Sequence, residues 1–178
     1  MDTTGSSAVW RRTGIAVACV ATLGTLGAVG PALAGVAANF RSDLSDLAPA
    51  ASGPFDHASA QLTLVGSHGT TAVLVVHGVD KSVAGSTFGA HLHTGPCVAG
   101  NGPAAGPHYN HSGVVPPVAN AQTEIWLDFR VDRGGNGQSI SMVDWVPTSG
   151  TRSVVVHEKA TAPDGTAGAR LACLPVQW

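Results

Sequence analysis

The hydrophobic and polar positions of this chain fall into two regimes. From Thr13 to Phe40 no residue is charged, and between Gly14 and Val29 Ala, Val, Leu and Gly dominate without alternation. Beyond about Pro54 the pattern turns to short stretches in which apolar and polar residues alternate. Ala58-Ser59-Ala60-Gln61-Leu62-Thr63-Leu64-Val65 has the period of two that a half-buried strand requires. Gly66-Ser67-His68-Gly69 reads as a turn and Thr70 to His77 as a second strand, so the two form a β-hairpin. Further strands are predicted over Ser86 to His93, Gln122 to Val131, Ser139 to Val146 and Arg152 to His157, with turns such as Arg133-Gly134-Gly135-Asn136-Gly137 between them. No stretch after the first segment sustains a helical period. The expected fold is all-β, a Greek-key sandwich or barrel of about eight antiparallel strands. Two loops, residues 94 to 121 and 158 to 169, are long for a compact domain, and such loops are usually either functional or disordered.

The front of the chain reads as an export signal. Arg11 and Arg12 precede the apolar run, and Ala32-Leu33-Ala34 supplies a small-residue cleavage pattern. A cut after Ala34 is expected, with Ala38 as the second candidate. An uncleaved membrane anchor is the alternative, since the run is long enough to span a bilayer. Residues 35 to 53, rich in Ala and Ser with Pro49 and Gly53, read as a flexible linker. Residues 54 to 178 are then a single domain of about 125 residues, large enough for one core. The expected location is secreted or in the cell envelope, with membrane contact only if the segment stays uncleaved.

Removing residues 1 to 34 takes away Asp2, Arg11 and Arg12 and leaves a net charge near minus three, with no basic patch for nucleic acid. Cys19 leaves with the signal, so Cys97 and Cys173 remain. An even count in an exported chain is the signature of one disulfide, the alternative being two buried thiols.

The chemistry on offer is imidazole. His91 and His93 sit at i and i+2 on a predicted strand and share a face, and His157 closes the β-branched run Val154-Val155-Val156. A His-x-His pair alone is as readily a hydrogen-bonded or solvated pair as a ligand pair. Imidazole suits copper, zinc, iron and nickel, and an all-nitrogen, tetragonal set with an open position favours copper over oxygen-loving magnesium or calcium.

Gly89-Ala90-His91-Leu92-His93, then Cys97, then Gly106-Pro107-His108-Tyr109-Asn110, then Val155-Val156-His157-Glu158-Lys159-Ala160, then Gly168-Ala169-Arg170-Leu171-Ala172-Cys173 follow in an order that resembles the copper/zinc superoxide dismutase family. The resemblance covers residues 54 to 178. It implies that His91, His93, His108 and His157 ligate copper, that His108 would also bridge to zinc, and that Arg170 stands beside copper to attract superoxide. It implies a disulfide between Cys97 and Cys173 and a two-step dismutation of superoxide to oxygen and hydrogen peroxide. The alternative for Arg170 is an ordinary surface charge.

The zinc half of the pattern is missing. After His108 only His111 offers a further imidazole in that segment, and Thr161 stands where the family pattern has an acidic residue linking the two metals. The departures resemble a copper-only branch, in which zinc is absent. The outer nitrogen of His108 then needs another partner, for which Glu124 is the first candidate and Asp128 the second. Their alternative is a pair of solvent-facing strand carboxylates. His57, His68 and His77 have no counterpart in the pattern and read as surface or turn residues, and Trp126, Trp145 and Trp178 as packing. The function expected is a copper-dependent dismutase, against a copper-binding or copper-delivering module on the same fold and, last, an inert structural sandwich.

Overall fold

The computed structural model describes residues 1, 35–48 and 53–178. The predicted export signal, apart from Met1, and residues 49–52 of the predicted linker lie outside the described residues. Alternation forms the strands where it was strongest. β3 (Ser59–Gly66) turns Ala60, Leu62 and Leu64 inward, and β4 (Thr70–His77) answers with Ala72, Leu74 and Val76. The hairpin register sets Leu62 opposite Leu74, so the two strands bury their apolar faces on the same side.

Two four-stranded antiparallel sheets face each other. The first has the order β1-β3-β4-β8, with β1 Val36–Asp43 and β8 Gly137–Val143; the second has the order β2-β10-β9-β6, with β2 Ser45–Asp46, β6 Ala90–His93, β9 Thr151–His157 and β10 Arg170–Gln177. A two-stranded ribbon pairs β5 (Thr87–Phe88) with β7 (Phe129–Arg130). β4 and β8 are neighbours although the chain visits the ribbon and β6 between them, which is the Greek-key crossover. The sheets do not close into a barrel. Leu62, Leu64, Leu74, Leu92, Leu127, Phe129 and Leu174 fill the space between them. Among the described residues no helix is long and apolar enough to cross a membrane.

Three sequence expectations are corrected. Most of the supposed linker belongs to the fold: β1 pairs with β3 over eight residues and β2 with β10. Val36, Ala38 and Phe40 do alternate toward the core, and Phe40 packs on Trp178 with ring centroids 5.9 Å apart, but outward Ala37 beside small inward Ala38 blurs the period. The predicted strand over Ser86 to His93 is broken at Gly89, whose N–H donates to the Lys159 carbonyl at 2.7 Å; a side chain there would collide with that oxygen and with Ala167. Within Gln122 to Val131 only Phe129–Arg130 forms a strand, Glu124 and Trp126 making single bridges instead. β10 was not foreseen as a strand; it tolerates Pro175 because β2 reaches only Ala172 and Cys173, which leaves that end of β10 an edge.

Because β1 and β2 complete both sheets, protein begun at Pro54 is expected to unfold at clearly lower urea than protein begun at Gly35. Equal midpoints would return residues 36 to 46 to the role of a linker.

Candidate metal centre

The second sheet and its flanking loops bring four imidazoles to one point. His91 and His93 share a face of β6, and β9 runs beside β6 and ends at His157. On the opposite flank, single bridges join His93 to His108 and His91 to Trp126. One nitrogen from each of His91, His93, His108 and His157 lies within 4.8 Å of the other three. The predicted ligand set is therefore assembled, three of its rings buried and His108 half-buried.

The partner of each ring's other nitrogen decides which way its lone pair faces. His93 Nδ1 lies 3.0 Å from the Gly106 carbonyl and His157 Nδ1 3.3 Å from that of Gly168. A carbonyl only accepts, so both rings carry their proton on Nδ1. His108 Nδ1 lies 2.9 Å from Glu124 Oε2. Burial opposes the charge on Glu124, but hydrogen bonds from His108, Trp126 and Asn110 outweigh it and hold the carboxyl below its ordinary range, so it accepts and His108 donates. For His91 the hydroxyl of Thr161 is decisive. It donates to Asp128 Oδ1 at 2.6 Å, and its oxygen therefore accepts from His91 Nε2 at 2.7 Å. Four lone pairs are left facing inward, on His91 Nδ1 and on Nε2 of His93, His108 and His157.

That arrangement calls for a cation. The Nε2 atoms of His93 and His157 stand 3.2 Å apart with a lone pair each and no proton to share. His91 Nδ1 is buried without any hydrogen-bond partner. Imidazole nitrogens ligate at about 2.0–2.1 Å, which puts two of them around one ion at most about 4.2 Å apart, so the set has only about half an ångström to close. Burial, with repulsion from neighbouring rings, pushes His91 down to about 2, His93 to about 3 and His157 to about 4, the last two against the hydrogen bonds to Gly106 and Gly168. Neutral imidazoles are the state a metal needs.

Arg170 enters from the start of β10, opposite His157, where a register shift between Arg170 and Ala172 marks a bulge that turns it toward the site. Its two terminal nitrogens donate to the carbonyls of Gly102 and Gly106 at 2.6 and 2.7 Å, which uses two of its five N–H donors. With His108 and His157 it lines an open pocket of about 590 Å³, walled by Pro107, Pro117, Ala119 and Ala167. A disulfide joins Cys97 to Cys173 and fastens the 94–121 loop to β10, three residues beyond Arg170.

Glu124 lies where the outer nitrogen of His108 points, and Asp128 reaches His91 through Thr161, with its Oδ1 4.0 Å from the ring. No spacing in the chain announces that relay, because Thr161 reads there only as a missing acid. Asn110 and Trp126, which donate to the two oxygens of Glu124 at 3.1 and 2.9 Å, were likewise missed. His111 stays outside the cluster; its exposed ring stacks on Trp145 at 4.6 Å and 6°. His57, His68 and His77 are exposed and stand apart from it as well.

No family model matches the sequence, and no curated protein does. Solved structures do. The clock protein EA4 superposes with a TM-score of 0.52 at 17% identity, covering 79% of this chain and 94% of that one. A histidine-for-proline mutant of the SOD-like protein from Bacillus subtilis superposes with a TM-score of 0.52 at 18% identity, covering 78% and 97%. At this identity the likeness establishes the fold alone.

Two outcomes follow. His91, His93 and His157 titrate below the ordinary 6.5 in the fold, so native protein binds fewer protons than unfolded protein beneath that pH. Metal-free protein should keep full stability above pH 7 and lose it as the pH falls from 6.5 toward 4, more steeply than the ~1.4 kcal/mol per pH unit of one such histidine. Urea midpoints unchanged between pH 7.5 and 5 would contradict this. Glu124→Ala should weaken metal binding at the four rings by about 10- to 100-fold in a chelator competition, and unchanged affinity would remove Glu124 from the site.

Proposed function

We propose that the protein is an exported copper-dependent superoxide dismutase. The observation that carries this is the set of four inward lone pairs beside a fixed guanidinium at the mouth of an open pocket. Copper, when bound, supplies a one-electron couple that alternates between two oxidation states. The overall reaction takes two superoxide anions and two protons to one molecule of oxygen and one of hydrogen peroxide. Arg170 holds a positive charge against the pocket with three N–H donors free, which suits a small anion. His108 lines the same pocket with an unprotonated Nε2 inward and Nδ1 anchored on Glu124, so in this reading Nε2 first takes a proton from solvent before it passes one to the product. One copper and no zinc is the metal content this reading expects, since Glu124 stands where the bridging nitrogen would meet a second ion.

A copper-binding or copper-delivering protein is the second reading. What favours it is the sparse charge of the pocket, where Arg170 is the single Lys or Arg among lining residues that include Glu124 and Asp164.

Copper-loaded protein should consume superoxide, and His157→Ala should lose both the copper and the rate. Arg170→Gln should keep the copper and lower kcat/KM by about 10- to 100-fold at low salt. Bound copper without superoxide consumption would move the protein to the second reading.

A further inference from the structure

The two long loops meet at one glycine. Gly165 is buried between exposed Asp164 and Thr166, and its φ is +84°. The turn around it is closed by its own bonds: Asp164 Oδ1 accepts from the Thr166 N–H at 3.0 Å and hydroxyl at 2.7 Å, and Ala162 and Thr166 are linked at 2.8 Å. A β-carbon at position 165 would lie 2.6 Å from the Ala119 β-carbon, 3.7 Å from the Trp126 ring and 3.8 Å from Glu124 Oε2. Only glycine permits this approach and this backbone. Asn110 holds the other loop, its amide donating to the Val118 carbonyl at 3.0 Å and to Glu124 Oε1 at 3.1 Å.

We propose that the Gly165–Ala119 contact is a clasp that positions Glu124 on His108. Asn110 draws the first loop onto one carboxylate oxygen, and Gly165 brings the second loop over the other, so water does not compete with His108 and Trp126 for Oε2. Gly165 and Ala119 are positioning residues, acting through Glu124. The clasp fixes which nitrogen of His108 carries the proton and therefore which one faces the other three rings. The copper part of the test below rests on the function proposed above; the exchange part does not.

The experiment compares wild type, Gly165→Ala, the double variant Gly165→Ala with Ala119→Gly, and Pro163→Ala as a same-loop control. In metal-free protein, nitrogen-15 NMR follows solvent exchange of the His108 Nδ1–H, with thermal unfolding measured alongside. Wild type and the control should show a protected proton, Gly165→Ala an exchange severalfold faster, and the double variant a partial return, because space is restored while the positive φ stays unfavourable for Ala. Copper affinity should fall about 10-fold in Gly165→Ala and recover in the same order. Should Gly165→Ala fail to fold, Ala119→Val presses on the same contact from the other side and should give the same exchange. An unprotected His108 proton in wild type, unchanged exchange in the variants, or a lower Tm with no change at His108 would each overturn the clasp. Protection lost in the variants of a protein that binds no copper would leave the clasp standing and remove the copper reading.

Discussion

Each of the four imidazoles is held by one outward hydrogen bond, and the site depends on those bonds. An imidazole with a free choice of tautomer gives a metal a lone pair only part of the time. Here two carbonyls, one ionised carboxylate and one hydroxyl relayed to a carboxylate remove the choice. The result is a buried concentration of unshared electron pairs, with the Arg170 guanidinium beside it already bonded to the carbonyls of Gly102 and Gly106. Such a cluster is destabilising unless a cation fills it, so the surrounding sheets and loops must hold it together.

The rest of the molecule supplies that restraint. β6 and β9 set three of the rings by register alone. The 94–121 loop contributes His108 and the Gly106 carbonyl that receives both His93 and Arg170, and the disulfide to Cys173 keeps that loop against the sheet. Gly106 thus links a ligand ring to the cation at the pocket mouth. The 158–169 loop supplies Thr161 and the Gly168 carbonyl, and is pinned at its base by the Gly89 contact with Lys159. Neither loop forms a sheet of its own, yet each closes a hydrogen bond on one of the four rings.

Much of this was legible in the sequence because it is periodic or local. Strong alternation in residues 58 to 77 gave the hairpin, and the i, i+2 spacing of His91 and His93 gave their common face. The convergence of His108 and Arg170 was legible only through the resemblance of whole motifs, since no period connects loop residues far apart in the chain. β1 escaped because apolar Ala37 faces outward beside small, inward Ala38 and Ser42, which leaves only Val36 and Phe40 to mark the period. The Asp128–Thr161–His91 relay escaped for a different reason: it joins side chains more than thirty residues apart through a hydroxyl, and nothing in the spacing of those residues announces the contact.

The site rests on four imidazoles that present their lone pairs to one cation. The most direct measurement is electron paramagnetic resonance of protein carrying one equivalent of Cu(II), which counts the nitrogens coupled to the metal. A single species with four imidazole nitrogens is expected, lost on His93→Ala. Fewer nitrogens, or copper spread over His57, His68 and His77 with His93→Ala unchanged, would contradict it.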